Sequence, residues 1–129
     1  MEQKHNIVCW FEIYVNDIER AKSFYSKVLD VELLDATEME GMPDMKMAFF
    51  PWVENAPNAN GALVKMKDMP VGAGGTMVYF QCENCSVEES RVERAGGKVI
   101  QPKMPIGEHG FCSMCMDTEG NMFGLHSMK

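Results

Sequence analysis

The feature that most constrains the fold of this chain is an order of hydrophobic patterns that occurs twice. Residues 7–15 (IVCWFEIYV) are rich in β-branched and aromatic side chains and predict a strand. Asp17 follows as an N-cap, and Ile18, Ala21, Phe24, Tyr25, Val28 and Leu29 recur at steps of three and four, which predicts a helix. Residues 30–35, 45–52 and 61–66 predict three strands, with an Asn-, Pro- and Gly-rich turn at 54–61 before the last. Residues 67–75 (KDMPVGAGG) lack periodicity and predict a linker.

The order then begins again. Residues 76–82 predict a strand. Ser86 and Glu89 match a capping box at the start of a helix over 87–95, which Gly96 and Gly97 end. Residues 98–101, 110–116 and 121–127 predict three more strands, the last two joined by a tight turn at 117–121. A constant step of 67 residues sets Trp10 on Met77, Ile13 on Phe80, Val15 on Cys82 and Asp17 on Asn84. The predicted class is α+β: a single domain, 1–129, of two βαβββ modules, 1–66 and 76–129. One helix buries only one face of a four-stranded sheet. The expectation is therefore that two mixed sheets curl around a cleft, the kind of concave place where sites form.

Composition excludes several classes. A chain of 129 residues fits one domain, and 46% hydrophobic with 24% charged residues is globular composition. With 19 acidic residues against 12 Lys and Arg, the formal net charge is -7, and no basic run is present. Nucleic acid and anionic membrane are therefore not expected partners. No apolar run approaches the roughly 18 residues of a membrane span, and the first ten residues do not read as a secretory signal. The expected location is cytoplasmic, with the five cysteines as free thiols. Thirteen methionines suggest an adaptable core or pocket wall.

The run from Phe11 to Tyr25 (FEIYVNDIERAKSFY), followed by Val28, Leu29, Asp30 and Val31, resembles the opening of the vicinal oxygen chelate superfamily. Glyoxalase I, bleomycin-resistance proteins and extradiol dioxygenases belong to that group. Ala95-Gly-Gly-Lys-Val99, Gly110-Phe111 and Asp117-Thr-Glu-Gly-Asn121 resemble its ending. The resemblance implies paired βαβββ modules, a homodimer and a small-molecule ligand. In enzymatic members it implies a divalent metal held by His and Glu. Carried over residue by residue, the two His positions are Trp10 and Met77, and the final Glu position is Gly124. The strand at 61–66, which would supply the remaining Glu, has no acid. Neither Trp nor Gly side chains ligate a divalent metal, and thioether sulfur favours Cu(I). The expectation is no metal at that site and no cofactor. Trp before Phe-Glu-Ile resembles a branch apart from glyoxalase I.

Side chains alternate along a strand. If the lost ligand positions mark the cleft face, parity adds Glu12 and Tyr14 to Trp10, Tyr79 and Gln81 to Met77, and Met122 and His126 to Gly124. The opposite parity holds Phe11, Ile13, Val15, Val78, Phe80, Cys82, Phe123 and Leu125, which suits a helix-packed core. The ligand-binding candidates are then Trp10, Tyr14, Met77, Tyr79, Gln81 and Met122. Aromatic and thioether walls with few polar points suit a flat or apolar small molecule. Glu12 and His126 are the candidate catalytic pair, as base and acid, against the alternative that each is a solvated strand residue. His109 lies in a Gly-flanked loop and is either a ligand contact or a surface histidine. His5 carries no argument.

Cys82-x-x-Cys85 and Cys112-x-x-Cys115 form a pattern that elsewhere binds zinc. Here the second pair falls inside a predicted strand, where residues three apart face opposite sides. The sequence thus leaves three functional readings. The first is a small-molecule enzyme without the usual metal, with a metal-dependent lyase, isomerase or dioxygenase as its variant. The second is a sequestering protein without turnover. The third is a zinc-dependent interaction module.

Overall fold

The structure is a computed structural model that describes residues 5–36 and 44–129. The start of the predicted strand at 45–52 is therefore seen, but residues 37–43 before it lie outside the described residues. The chain divides into two compact units, one formed by Trp10–Thr76 and the other by Met77–Lys129 together with the residues before Trp10.

In the first unit, β1 (Val8–Tyr14) leads into α1 (Ile18–Leu29), then β2 (Leu34–Asp35), β3 (Lys46–Phe49) and β4 (Asn60–Lys65). The strand order is β2-β3-β4-β1. β1 runs parallel to β4, with Trp10 opposite Asn60 and Phe11 opposite Gly61, and the β3–β4 pair is antiparallel. Helix α1 starts at Asp17, whose carboxylate accepts from the Arg20 amide at 3.0 Å. It ends where Asp30 turns left-handed at φ 54° and its amide bonds to the Ser26 carbonyl. Its packed side meets the core of Ile18, Leu33, Ala48 and Leu63, with Ile13, Val15, Ala21 and Tyr25 against it. The apolar stripe is wider than the sheet covers: Phe24, Val28 and Leu29 are exposed.

In the second unit, β5 (Thr76–Gln81) leads into α2 (Cys85–Val92), β6 (Lys98–Pro105), a 3-10 turn (Gly107–His109), β7 (Phe111–Met116) and β8 (Met122–Ser127). The order is β5-β8-β7-β6, with β5 parallel to β8 and the remaining pairs antiparallel. Ile7 joins this unit: its carbonyl accepts the Gln81 amide at 2.9 Å. The core is Cys82, Cys85, Cys115 and Leu125, flanked by Phe80, Val92, Val99, Phe111 and Phe123.

Both units thus show the predicted βαβββ order, and the α+β class holds. Two expectations are corrected. Helix α2 is capped by Asn84, whose side-chain oxygen accepts from the Ser86 amide at 3.1 Å, and not by a Ser86–Glu89 box. Glu89 instead accepts from the Lys103 amide on β6 at 2.5 Å, so its carboxylate serves a strand. The helix accordingly begins at Cys85 and closes at Val92, short of the predicted 95. β6 extends past 101 to Pro105 despite Pro102, because it is the edge strand of its unit and carries two irregularities in register. A proline there removes no ladder bond that a neighbour needs.

Candidate functional site

Alternation along β1 sends Ile13 into the helix-side core and sets Trp10, Glu12 and Tyr14 on the opposite face. There the three side chains interlock. The Trp10 indole N–H donates to Glu12 Oε2 at 3.2 Å, and the Tyr14 hydroxyl donates to Glu12 Oε1 at 2.7 Å. Trp10 and Glu12 are half-buried and Tyr14 is buried. Register brings Phe49 to the same face, through Ala62 opposite Glu12. Its ring meets that of Trp10 edge-on, with centroids 5.8 Å apart, an arrangement the ring quadrupoles favour. The result is a carboxylate held at both oxygens beside an aromatic wall. Such a group is oriented before any ligand arrives, which lowers the ordering cost of binding.

In the second unit the helix side takes Phe80, Cys82, Phe123 and Leu125. The other face therefore carries Met77 and Tyr79 with Gln81 on β5, and Met122 and His126 on β8. Met77 and Tyr79 are buried, Met122 and His126 half-buried, and Gln81 exposed. Gln81 pairs with His126 across β5 and β8. Both border a hollow of about 410 Å³ at the ends of these strands, together with Cys9, Cys82, Glu83 and Lys129. His109 is exposed, and its contribution is backbone: its carbonyl lies 2.6 Å from His126 Nε2. A carbonyl only accepts, so Nε2 carries the proton and Nδ1 of neutral His126 keeps its lone pair.

Gly124 lies opposite Tyr79, and the tyrosine ring crosses it so closely that an added Cβ would sit 2.1 Å from a ring carbon. No side chain of any kind fits at position 124 while the ring stays. The signal was a glycine inside a strand, which marks close approach of a neighbour. Among the described residues, no group of three or more His, Cys, Asp or Glu is arranged to hold an ion. At the positions the resemblance assigns to metal ligands, the Trp10 and Gly124 side chains offer no donor atom, Met77 offers a soft thioether, and the Tyr79 ring crowds position 124.

The four thiols of the two Cys-x-x-Cys pairs do not converge. Cys82, Cys85 and Cys115 share the helix-side core, whereas Cys112 stands on the opposite face of β7. Burial pushes the Cys82 thiol up to about 12, with the nearby Glu88 carboxylate adding to the effect. Burial likewise raises Cys115 and Cys9 above the ordinary thiol range. These are protonated, weakly reactive groups.

The glyoxalase/bleomycin resistance protein/dioxygenase superfamily model matches residues 7–125, and the chain belongs to that superfamily. Among solved structures, a hypothetical protein from Bacillus halodurans C-125 is similar with a TM-score of 0.68 at 18% identity, covering 98% of this chain and 96% of that one. Methylmalonyl-CoA epimerase from Mycobacterium tuberculosis has a TM-score of 0.67 at 12% identity, covering 95% and 88%. Its Streptomyces coelicolor counterpart, in complex with 2-nitronate-propionyl-CoA, has 0.66 at 13%, covering 94% and 93%. At such identities the likeness is one of fold. No curated protein matches by sequence. No helix among the described residues is long and apolar enough to cross a membrane.

Proposed function

We propose that this chain binds a small, flat or apolar molecule against the Trp10–Glu12–Tyr14 face, and does so without the divalent metal usual in the superfamily. The observation that carries the reading is the carboxylate of Glu12, gripped by the Trp10 and Tyr14 donors next to the Trp10–Phe49 wall. Such a group offers a fixed acceptor or base, and the rings offer stacking area. In the second unit, taken by itself, the proposed ligand-facing residues are Met77, Tyr79, Gln81, Met122 and His126, with His126 as its candidate proton donor or acceptor. Turnover, if the chain has it, uses these side chains. Sequestration without turnover uses the same contacts. The rival, a metal-dependent isomerase or dioxygenase, needs an acid at position 124, and the Tyr79 ring argues against one. A homodimer in the cytoplasm completes the proposal.

The test is a thermal-shift screen of small aromatic and acyl compounds, with NMR detection of product for each hit. Trp10→Leu should weaken binding of a hit at least tenfold, about 1.4 kcal/mol. Glu12→Gln should abolish any product while retaining binding. Purified protein carrying one equivalent of a divalent metal, whose removal abolishes binding, would overturn the proposal. Sedimentation velocity checks the dimer.

A further inference from the structure

The face of the second unit opposite α2 carries a row of soft donors. Register pairs Met104 on β6 with Cys112 on β7, and Cys112 with His126 on β8. Residues paired in this way project to the same face, with Cβ atoms about 5 Å apart. A thioether, a thiol and an imidazole therefore stand side by side across three strands, with the thiol in the centre. The flanking Met and His side chains are long enough to lean over it. Met114, two residues along β7 from Cys112, adds a second thioether on that face. Cys112 is only 6% exposed, while Met104 and His126 are half-buried, so the row is shielded without being sealed.

A second observation points the same way. His126 Nε2 faces the His109 carbonyl at 2.6 Å. Imidazoles that ligate metals commonly donate their other N–H to such a partner, which fixes the ring and leaves the remaining nitrogen as the donor.

From this juxtaposition we infer a soft-metal site, with Cys112 thiolate, Met104 thioether and His126 Nδ1 as ligands to a monovalent copper-like ion. Thiolate and thioether sulfur select Cu(I) over the harder divalent ions that favour oxygen and nitrogen. Binding replaces the Cys112 S–H bond with a metal–sulfur bond and releases one proton to solvent, with no change in oxidation state. The proposed ligands are other residues than Met77 and Gly124, the positions to which the resemblance assigns metal ligands in this unit.

The probe is Ag(I), a redox-inert stand-in for Cu(I), titrated anaerobically into the full chain, with stoichiometry read by calorimetry and mass spectrometry. The expected result is one tightly held equivalent. Cys112→Ser should lose it, and Met104→Leu, which conserves volume and shape class, should weaken it at least tenfold with an unchanged melting temperature in the absence of metal. Absence of binding by the folded wild-type chain, or Met104→Leu binding as wild type does, would overturn the assignment. The same holds if His126→Gln retains full affinity.

Discussion

Gly124 and Tyr79 occupy one volume between them. Placing a methyl group at position 124 forces the ring, or the strand beneath it, to move. Overpacking of this kind costs about 1–3 kcal/mol. Gly124→Ala should lower the urea midpoint accordingly, and Tyr79→Ala in the same chain should cancel part of that loss, since the two sites share space. Asp117 offers a test of charge at the same scale. Its carboxylate accepts the amides of Glu119 and Asn121 at 2.8 and 2.9 Å, and also the Asn121 side chain. These bonds favour the ionised form and hold its pKa below the ordinary carboxylate value of 3.8. A carboxylate with a lowered folded pKa contributes stability above its unfolded pKa and loses that contribution as pH falls through the folded one. Asp117→Asn should therefore be less stable than wild type at neutral pH, and the difference should shrink on acidification through pH 3.8, as followed by melting temperature.

Elements show where the sequence was readable. Parity along β1, β5 and β8 separated the helix-packed residues from the candidate face, because a buried face imposes its alternation on the residue types. The start of α2 was legible in one way and misleading in another. The internal repeat set Asn84 on Asp17, and both residues are the caps; the Ser86–Glu89 motif named the wrong one. Local motifs compete with neighbouring strands for the same carboxylate, and β6 claims Glu89. The burial of Tyr14, Met77 and Tyr79 was not legible, since periodicity tells which face a residue takes and not how much covers it. Two predictions belong here. Leu63, fully buried under α1, should cost about 2–5 kcal/mol as Leu63→Ala, read from denaturant unfolding. Cys85 and Cys115, both fully buried, should react with a thiol reagent at neutral pH only as fast as the unit opens, so urea should release the two together.

For the molecule as a whole, the excess of acidic residues sets behaviour that the fold does not. With a pI near 4.9, the protein should be least soluble around that pH and should not be retained on a polyanionic matrix at neutral pH. Nephelometry and column retention check both. The path of the chain has a further consequence. The Gln81 amide depends on the carbonyl of Ile7, far upstream. Removing residues 1–7 should speed hydrogen exchange at Gln81 and leave the exchange of β3 and β4 amides unchanged. On the ribosome this reverses the usual economy of vectorial synthesis. The stretch at Ile7 emerges before the segment it must join, and has to wait, tethered ahead of an already folding neighbour, until translation delivers its mate.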